Sequence, residues 1–185
     1  ANKHGYKYYS EKTPENILVF YDLLQLFPKA KFIHVIRDPR AVIASMLKVG
    51  ERSKVEGWTT QSFTYNIRSA INYINRCLDS GFYALESFPN RILTVKYESL
   101  VTQPEYETKR ICDFLNISWS PLIMKPGNKE HLGEKAIINK VWFNSKMYNR
   151  NIEDNEKDKW KYQLTSFQKN VINIKFQNNI KLLEL

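Results

Sequence analysis

Apolar residues in this chain come in two patterns, short unbroken runs and longer stripes spaced three and four apart. Lys31 to Arg37 (KFIHVIR) and Arg91 to Tyr97 (RILTVKY) are runs without clean alternation, as expected of strands buried on both faces of a parallel sheet. Tyr6 to Ser10 is a shorter aromatic run that predicts a strand leading into a helix start, with Thr13 as N-cap and Pro14 at the first helical position. Ile17, Leu18, Tyr21, Leu24 and Phe27 form one stripe, predicting a helix over Glu15 to Phe27 that Pro28 ends. Asp38-Pro39 repeats the cap-then-proline signature and launches a helix to about Lys48. Phe63, Ile67, Ile71, Ile74 and Leu78 predict a longer helix over about Thr59 to Ser80, closed by Gly81. Further helices are predicted over Gln103 to Leu115, about Asn155 to Gln163, and about Thr165 to Asn179. Between Ser118 and Asn151 the periodicity fades, and Pro121, Pro126, Gly127 and Gly133 mark loops.

This order of elements describes an α/β fold, a parallel sheet covered by helices on both faces. Ligands of such sheets bind beyond the carboxyl ends of the strands, where the pattern puts both Lys12 and Arg37. With 185 residues, 43% of them hydrophobic, and no repeat or linker-like tract, residues 1–185 read as one domain with enough apolar side chain for a core.

Composition narrows the chemistry only a little. A net charge of +9 attracts anions, which suits a nucleotide, a nucleic acid, an acidic glycan or a membrane surface. Cys77 and Cys112 form no CxxC or Cys/His cluster, so neither a structural zinc nor a disulfide framework is expected. No stretch approaches the roughly 20 apolar residues of a membrane span, and the first residues lack a signal-peptide layout. The expectation is a soluble chain, with the cytoplasm favoured. Asn116-Ile117-Ser118 matches the N-glycosylation triplet, which recurs by chance.

The segment Arg37-Asp38-Pro39-Arg40-Ala41-Val42-Ile43-Ala44-Ser45 carries the clearest chemistry. Arg37 leaves a buried strand at a helix N-terminus, where backbone N–H groups and the helix dipole favour an anion. A guanidinium there offers two parallel donors to a phosphate. Ala41 and Ser45, four apart, present small side chains and a hydroxyl on one helix face. An alternative reading pairs Arg37 with Asp38 or Glu98 and leaves Ser45 as a small inward residue.

KFIHVIRDPRAVIAS resembles the 3′-phosphate-binding segment of sulfotransferases that use 3′-phosphoadenosine 5′-phosphosulfate (PAPS). SEKTPEN is similar to the Glu-Lys-Ser/Thr-Pro segment of the carbohydrate-modifying and bacterial branches, and RILTVKYESLVTQPEYETKRICDFLNI to the family's strand, Tyr-Glu-Asp-Leu turn and following helix. The Trp-Lys pair at 160 and 161 resembles the segment after the family's loop over the 3′-phosphate. The resemblance runs in order from about Tyr6 to Asn179. It implies a P-loop-NTPase-like parallel sheet flanked by helices. It also implies that Arg37 and Ser45 grip the 3′-phosphate, that Lys12 stabilises the departing phosphate oxygen, and that Tyr97 lies near the cofactor. Arg150 matches a phosphate contact only by approximate position. Glu98 reads as structural, and Trp160 as a helix-packing anchor.

The sequence departs from the family in two places. None of the 6 glycines sits in a phosphate-cradling strand-to-helix turn, so the chain is expected to begin inside the domain, without the first strand and the phosphosulfate loop, and to be inactive alone. Pro14 stands where the cytosolic branch has its catalytic histidine, and His4, His34 and His131 are weak substitutes, His34 reading as a satisfied core residue. No general base is assigned, and a carboxylate outside the chain is the simplest one.

The resulting expectation is a sulfotransferase moving a sulfonate from PAPS to a hydroxyl or amine. Its acceptor would be a small molecule or glycan, with no metal and no nucleic-acid partner. The alternative is a non-catalytic basic module for nucleic acid or acidic glycan, using Tyr148, Arg150, Trp160 and Lys161 as a basic aromatic face. A P-loop kinase relative is disfavoured by the absence of a nucleotide lysine loop and of acidic magnesium ligands.

Overall fold

The structure is a computed structural model and describes residues 8–124 and 157–184. Strands β1 (Phe32–Ile36) and β2 (Ile92–Lys96) pair in parallel, Phe32 opposite Ile92 through Ile36 opposite Lys96. Their connection runs through helices α2 (Pro39–Glu56) and α3 (Ile67–Ser87). Helix α1 (Phe20–Leu26) precedes β1; α4 (Tyr97–Thr102) and α5 (Pro104–Leu115) follow β2; α6 (Trp160–Gln163) and α7 (Ser166–Glu184) close the described part. The α/β architecture with a small parallel sheet flanked by helices is the one the pattern predicts.

The sheet face carrying Phe32, His34 and Ile92 turns toward α1 and α3. Phe20 meets Phe32 edge-on at 4.8 Å, and Phe20, Leu24, Ala84 and Ile92 form one core cluster. A second, larger cluster joins α2, α3 and α7 through Ile43, Ala70, Ile71, Ile74, Ile172 and Phe176. On the opposite sheet face Val95 is fully buried, while its neighbour Val35 is 53% exposed, so among the described residues that face is covered over β2 and open over β1. Arg110 ties α5 to β2: its Nη2 donates to the Thr94 carbonyl at 2.9 Å and to the buried Glu107 carboxylate at 2.7 Å.

Several boundaries differ from the pattern, each for a local reason. Residues 8–10 form no strand, and no strand pairs with the other edge of β1 among the described residues. The helix predicted over Glu15 to Phe27 starts as a 3-10 helix at Pro14–Val19, and the non-helical Val19 separates it from α1. Helix α2 runs past Lys48 to Glu56, because Val49, Gly50 and Ser53 are buried in its continuation, and Gly57 caps it with φ 69°. Helix α3 starts at Ile67, with the Asn66 side chain accepting from the Ser69 N–H, and passes straight through Gly81. Gly81 is therefore no cap. A Cβ there would sit 2.4 Å from Cε1 of His34, so the glycine lets α3 close onto the imidazole. Tyr97–Thr102, read as a turn, is a short helix, and α7 extends to Glu184 with non-helical geometry at Phe176.

At the start of β2, Arg91 serves the end of α1. Its Nη1 donates to the Leu24 carbonyl at 2.8 Å, Nη2 to Phe27 at 2.5 Å and Nε to Ala30 at 3.2 Å, fastening the last turn of α1 and the turn that follows it to β2.

Candidate functional site

The register of the two strands creates the candidate site. Because β1 and β2 end level at Ile36 and Lys96, the next residues, Arg37 and Tyr97, leave the sheet side by side, about 4.8 Å apart in backbone spacing. Their side chains meet: Cζ of Arg37 lies 4.2 Å from the centroid of the Tyr97 ring, a cation–π contact worth about 0.5–2 kcal/mol. One residue further, the Asp38 N–H donates to Oε1 of Glu98 at 3.0 Å. The two strand ends are thus joined twice, by Arg37 with Tyr97 and by Asp38 with Glu98. Oε2 of Glu98 is buried without a hydrogen-bond partner.

Asp38 caps α2, accepting the Arg40 N–H at 2.8 Å. Its carboxylate also takes the Arg40 guanidinium, from Nε at 3.0 Å to each oxygen and from Nη2 at 2.7 Å to Oδ2. The Arg37–Asp38 pairing considered from sequence is therefore not the one adopted, because Arg40 occupies both carboxylate oxygens. Cζ of Arg40 in turn lies 4.2 Å from the Trp160 ring, and Trp160 packs against the α2–α3–α7 core, in keeping with its reading as a packing anchor.

Of the remaining candidates, Ser45 lies on α2 about 9 Å along the axis from Pro39. It is exposed, and its hydroxyl makes no hydrogen bond among the described residues. Lys12 is also exposed, just before the 3-10 helix, where Glu11 accepts from the Thr13 hydroxyl and the Asn16 side-chain amide. Thr13 thus holds the cap position but turns its hydroxyl to Glu11 rather than to the helix. Arg150 lies outside the described residues, as do His4, His131 and Tyr148.

Two cavities lie elsewhere. One of about 200 Å³ lies between the two core clusters, lined by Ile36, Pro39, Leu78, Phe82, Leu85, Thr94 and Asn179; the other, about 380 Å³, lies beside β2 and α5 and includes Lys96, Glu107 and Arg110. Neither includes Arg37. Arg37, Asp38, Tyr97 and Glu98 are all half-buried, and it is the register of the strands rather than either cavity that marks them as the candidate.

His34 is buried between Phe20 and Phe82, its ring centroid 6.1 and 6.3 Å from theirs, and its Nδ1 lacks a hydrogen-bond partner. It is a core residue as predicted but an unsatisfied one, and burial lowers its pKa from 6.5 to about 4. A neutral imidazole behind the sheet is not placed to take a proton at the strand ends. Burial likewise pushes the Cys77 thiol up, against the hydrogen bond from Tyr73. Among the described residues no group of three or more His, Cys, Asp or Glu could hold a metal, and no helix is long and apolar enough to cross a membrane.

Sequence reasoning missed Arg40. A cation in the first turn of a helix opposes the macrodipole, and that mismatch was the available signal.

Comparison with known proteins adds the rest. The sulfotransferase family pattern matches residues 1–121. Protein-tyrosine sulfotransferase 2 of Gallus gallus is 33% identical over 135 residues, covering 68% of this chain and 35% of its own. An omega-hydroxy-beta-dihydromenaquinone-9 sulfotransferase of Mycobacterium tuberculosis is 29% identical over 110 residues, covering 57% of this chain and 28% of its own. Among solved structures, the sulfotransferase domain from the curacin biosynthetic pathway superposes with a TM-score of 0.67 at 22% identity, over 90% of this chain and 61% of that one. The chain spans between about a fifth and about a half of the length of the curated relatives it matches.

Proposed function

This chain belongs to the sulfotransferase family, and on that premise we propose that the protein carrying it moves a sulfonate from PAPS to a hydroxyl or amine acceptor. The observation that carries the reading is the pairing of Arg37 with Tyr97 at level strand ends, at the N-terminus of an 18-residue helix. A guanidinium held 4.2 Å from a ring centroid has less rotamer freedom to lose when a ligand arrives, and the planar fork of an arginine matches the oxygens of a phosphate. Arg37 holds the 3′-phosphate in this reading, Tyr97 orients it, and Ser45 adds a hydroxyl from the exposed side of α2. Arg150 is a further phosphate contact by position alone, and residues 1–185 act as one domain.

The reaction is a single displacement. The acceptor oxygen or nitrogen bonds to sulfur, the bond from sulfur to the 5′-phosphate oxygen breaks, and the acceptor proton passes to a base outside the described residues. Charge builds on the leaving phosphate oxygen, as in phosphoryl transfer, and Lys12 stabilises it. A hydroxyl acceptor is supported by two relatives, one named for protein tyrosine and one for an omega-hydroxyl. Glycan and small-molecule acceptors remain within the same chemistry.

The test is thermal protection of the intact protein. Binding of 3′,5′-ADP should raise Tm while 5′-AMP, lacking the 3′-phosphate, should not, and Arg37→Ala should remove the difference. Equal protection by both nucleotides would overturn the reading.

A further inference from the structure

Arg40 occupies a position that helix stability does not explain. It is the second residue of α2, where the positive end of the macrodipole opposes a cation by about 0.3–1 kcal/mol, and no acidic residue shares that first turn. The structure nevertheless holds it firmly. Three contacts from its guanidinium reach both oxygens of Asp38, one face lies 4.2 Å from the Trp160 ring, and the side chains of Arg40 and Asp38 are 17% and 15% exposed.

Asp38 is the immediate neighbour of Arg37 and stands at the strand end where an anion is to bind. An uncompensated carboxylate there would repel that anion and compete for the adjoining guanidinium. Its backbone N–H is already tethered to Glu98, so the residue cannot swing away without opening the junction between the strands.

We propose that Arg40 is a positioning residue that sets the anion affinity of the Arg37 site by engaging Asp38 on both oxygens and neutralising it. Trp160 braces the guanidinium from α6 and keeps it in that geometry. Arg40 itself makes no contact with the nucleotide in this scheme and acts through Asp38. The inference rests on the reading of Arg37 as the 3′-phosphate residue, and the experiment separates the two.

The affinity of the intact native protein for 3′,5′-ADP is measured by calorimetry for wild type, Arg37→Ala, Arg40→Ala, Asp38→Asn and the Asp38→Asn/Arg40→Ala double variant. Arg40→Ala should weaken binding on the order of tenfold, the effect of one unscreened charge a few ångströms from the ligand. Asp38→Asn keeps an acceptor for the Arg40 N–H cap and should bind at least as tightly as wild type. The double variant should recover most of the loss, which a purely structural role of Arg40 would not allow. A double variant as weak as Arg40→Ala alone, or an Arg40→Ala protein that binds like wild type, overturns the inference. Where Arg40→Ala does not fold, Arg40→Lys, which cannot bridge both oxygens in the same plane, is compared with and without Asp38→Asn under the same criterion. If Arg37→Ala binds the nucleotide normally, the 3′-phosphate reading itself falls; if it loses binding while Arg40→Ala does not, that reading stands and only the role of Arg40 is lost.

Discussion

Acidification should expose His34 before it touches anything else in the core. The imidazole is 5% exposed, packed edge-on to two phenylalanines, and lowered to about 4 by burial alone. In the unfolded chain it returns to about 6.5, so between those limits the unfolded state binds the extra proton and folding stability falls with pH. The contribution is whole above about 6.5, declines through the interval and levels off below about 4. The displacement corresponds to about 3 kcal/mol, a large part of the stability of an ordinary domain. Carboxylates protonate near the lower end of the same range, so the His34 contribution is read as a difference. Urea unfolding of the intact protein and of His34→Leu, similar in volume, is followed from pH 7.5 to 4.5. The wild type should lose about 2 kcal/mol more than the variant over that span. Parallel loss in both proteins, or an NMR titration that puts the His34 imidazole near 6.5 in the folded state, would refute the reasoning.

Gly81→Ala brings a methyl to 2.4 Å from the same imidazole and should cost about 1–3 kcal/mol, with part of the loss returned in the Gly81→Ala/His34→Ala double variant; thermal melts of all three check it. Arg91→Ala removes three charged donors from carbonyls in the last turn of α1 and just beyond it and should destabilise by about 2–3 kcal/mol with no change in nucleotide affinity, read by denaturant midpoint and calorimetry together.

The parts of the fold legible in the sequence were those set by backbone chemistry. Asp38-Pro39 marked the start of α2 because an N-cap acceptor followed by proline fits little else, and KFIHVIR and RILTVKY marked buried parallel strands by their unbroken apolar runs. Arg37 followed as a candidate because it ends such a run at a helix start, and Tyr97 through the resemblance of its turn to that of the sulfotransferases. What the pattern misjudged depended on contacts between distant segments. Gly81 was taken for a helix stop because glycine is a poor helix residue, and only the approach of His34 from β1 explains it inside α3. Gly50 keeps α2 running for a related reason: a Cβ there would lie 2.2 Å from the Thr64 carbonyl oxygen. Arg40 escapes a sequence reading because Trp160, far along the chain, reaches its guanidinium only in three dimensions.

The level ending of β1 and β2 also governs which changes of length the protein can absorb. One residue added or removed within either strand would slide one member of the Arg37–Tyr97 couple by about 3.3 Å and turn it to the opposite side of the sheet. An insertion in the bend between Gly57 and Gln61 leaves both anchors where they are, since nothing about the crossover's length enters the alignment of the strands. Natural variation in this protein should therefore gather in that bend and stay out of the ten paired positions that bring Arg37 and Tyr97 level.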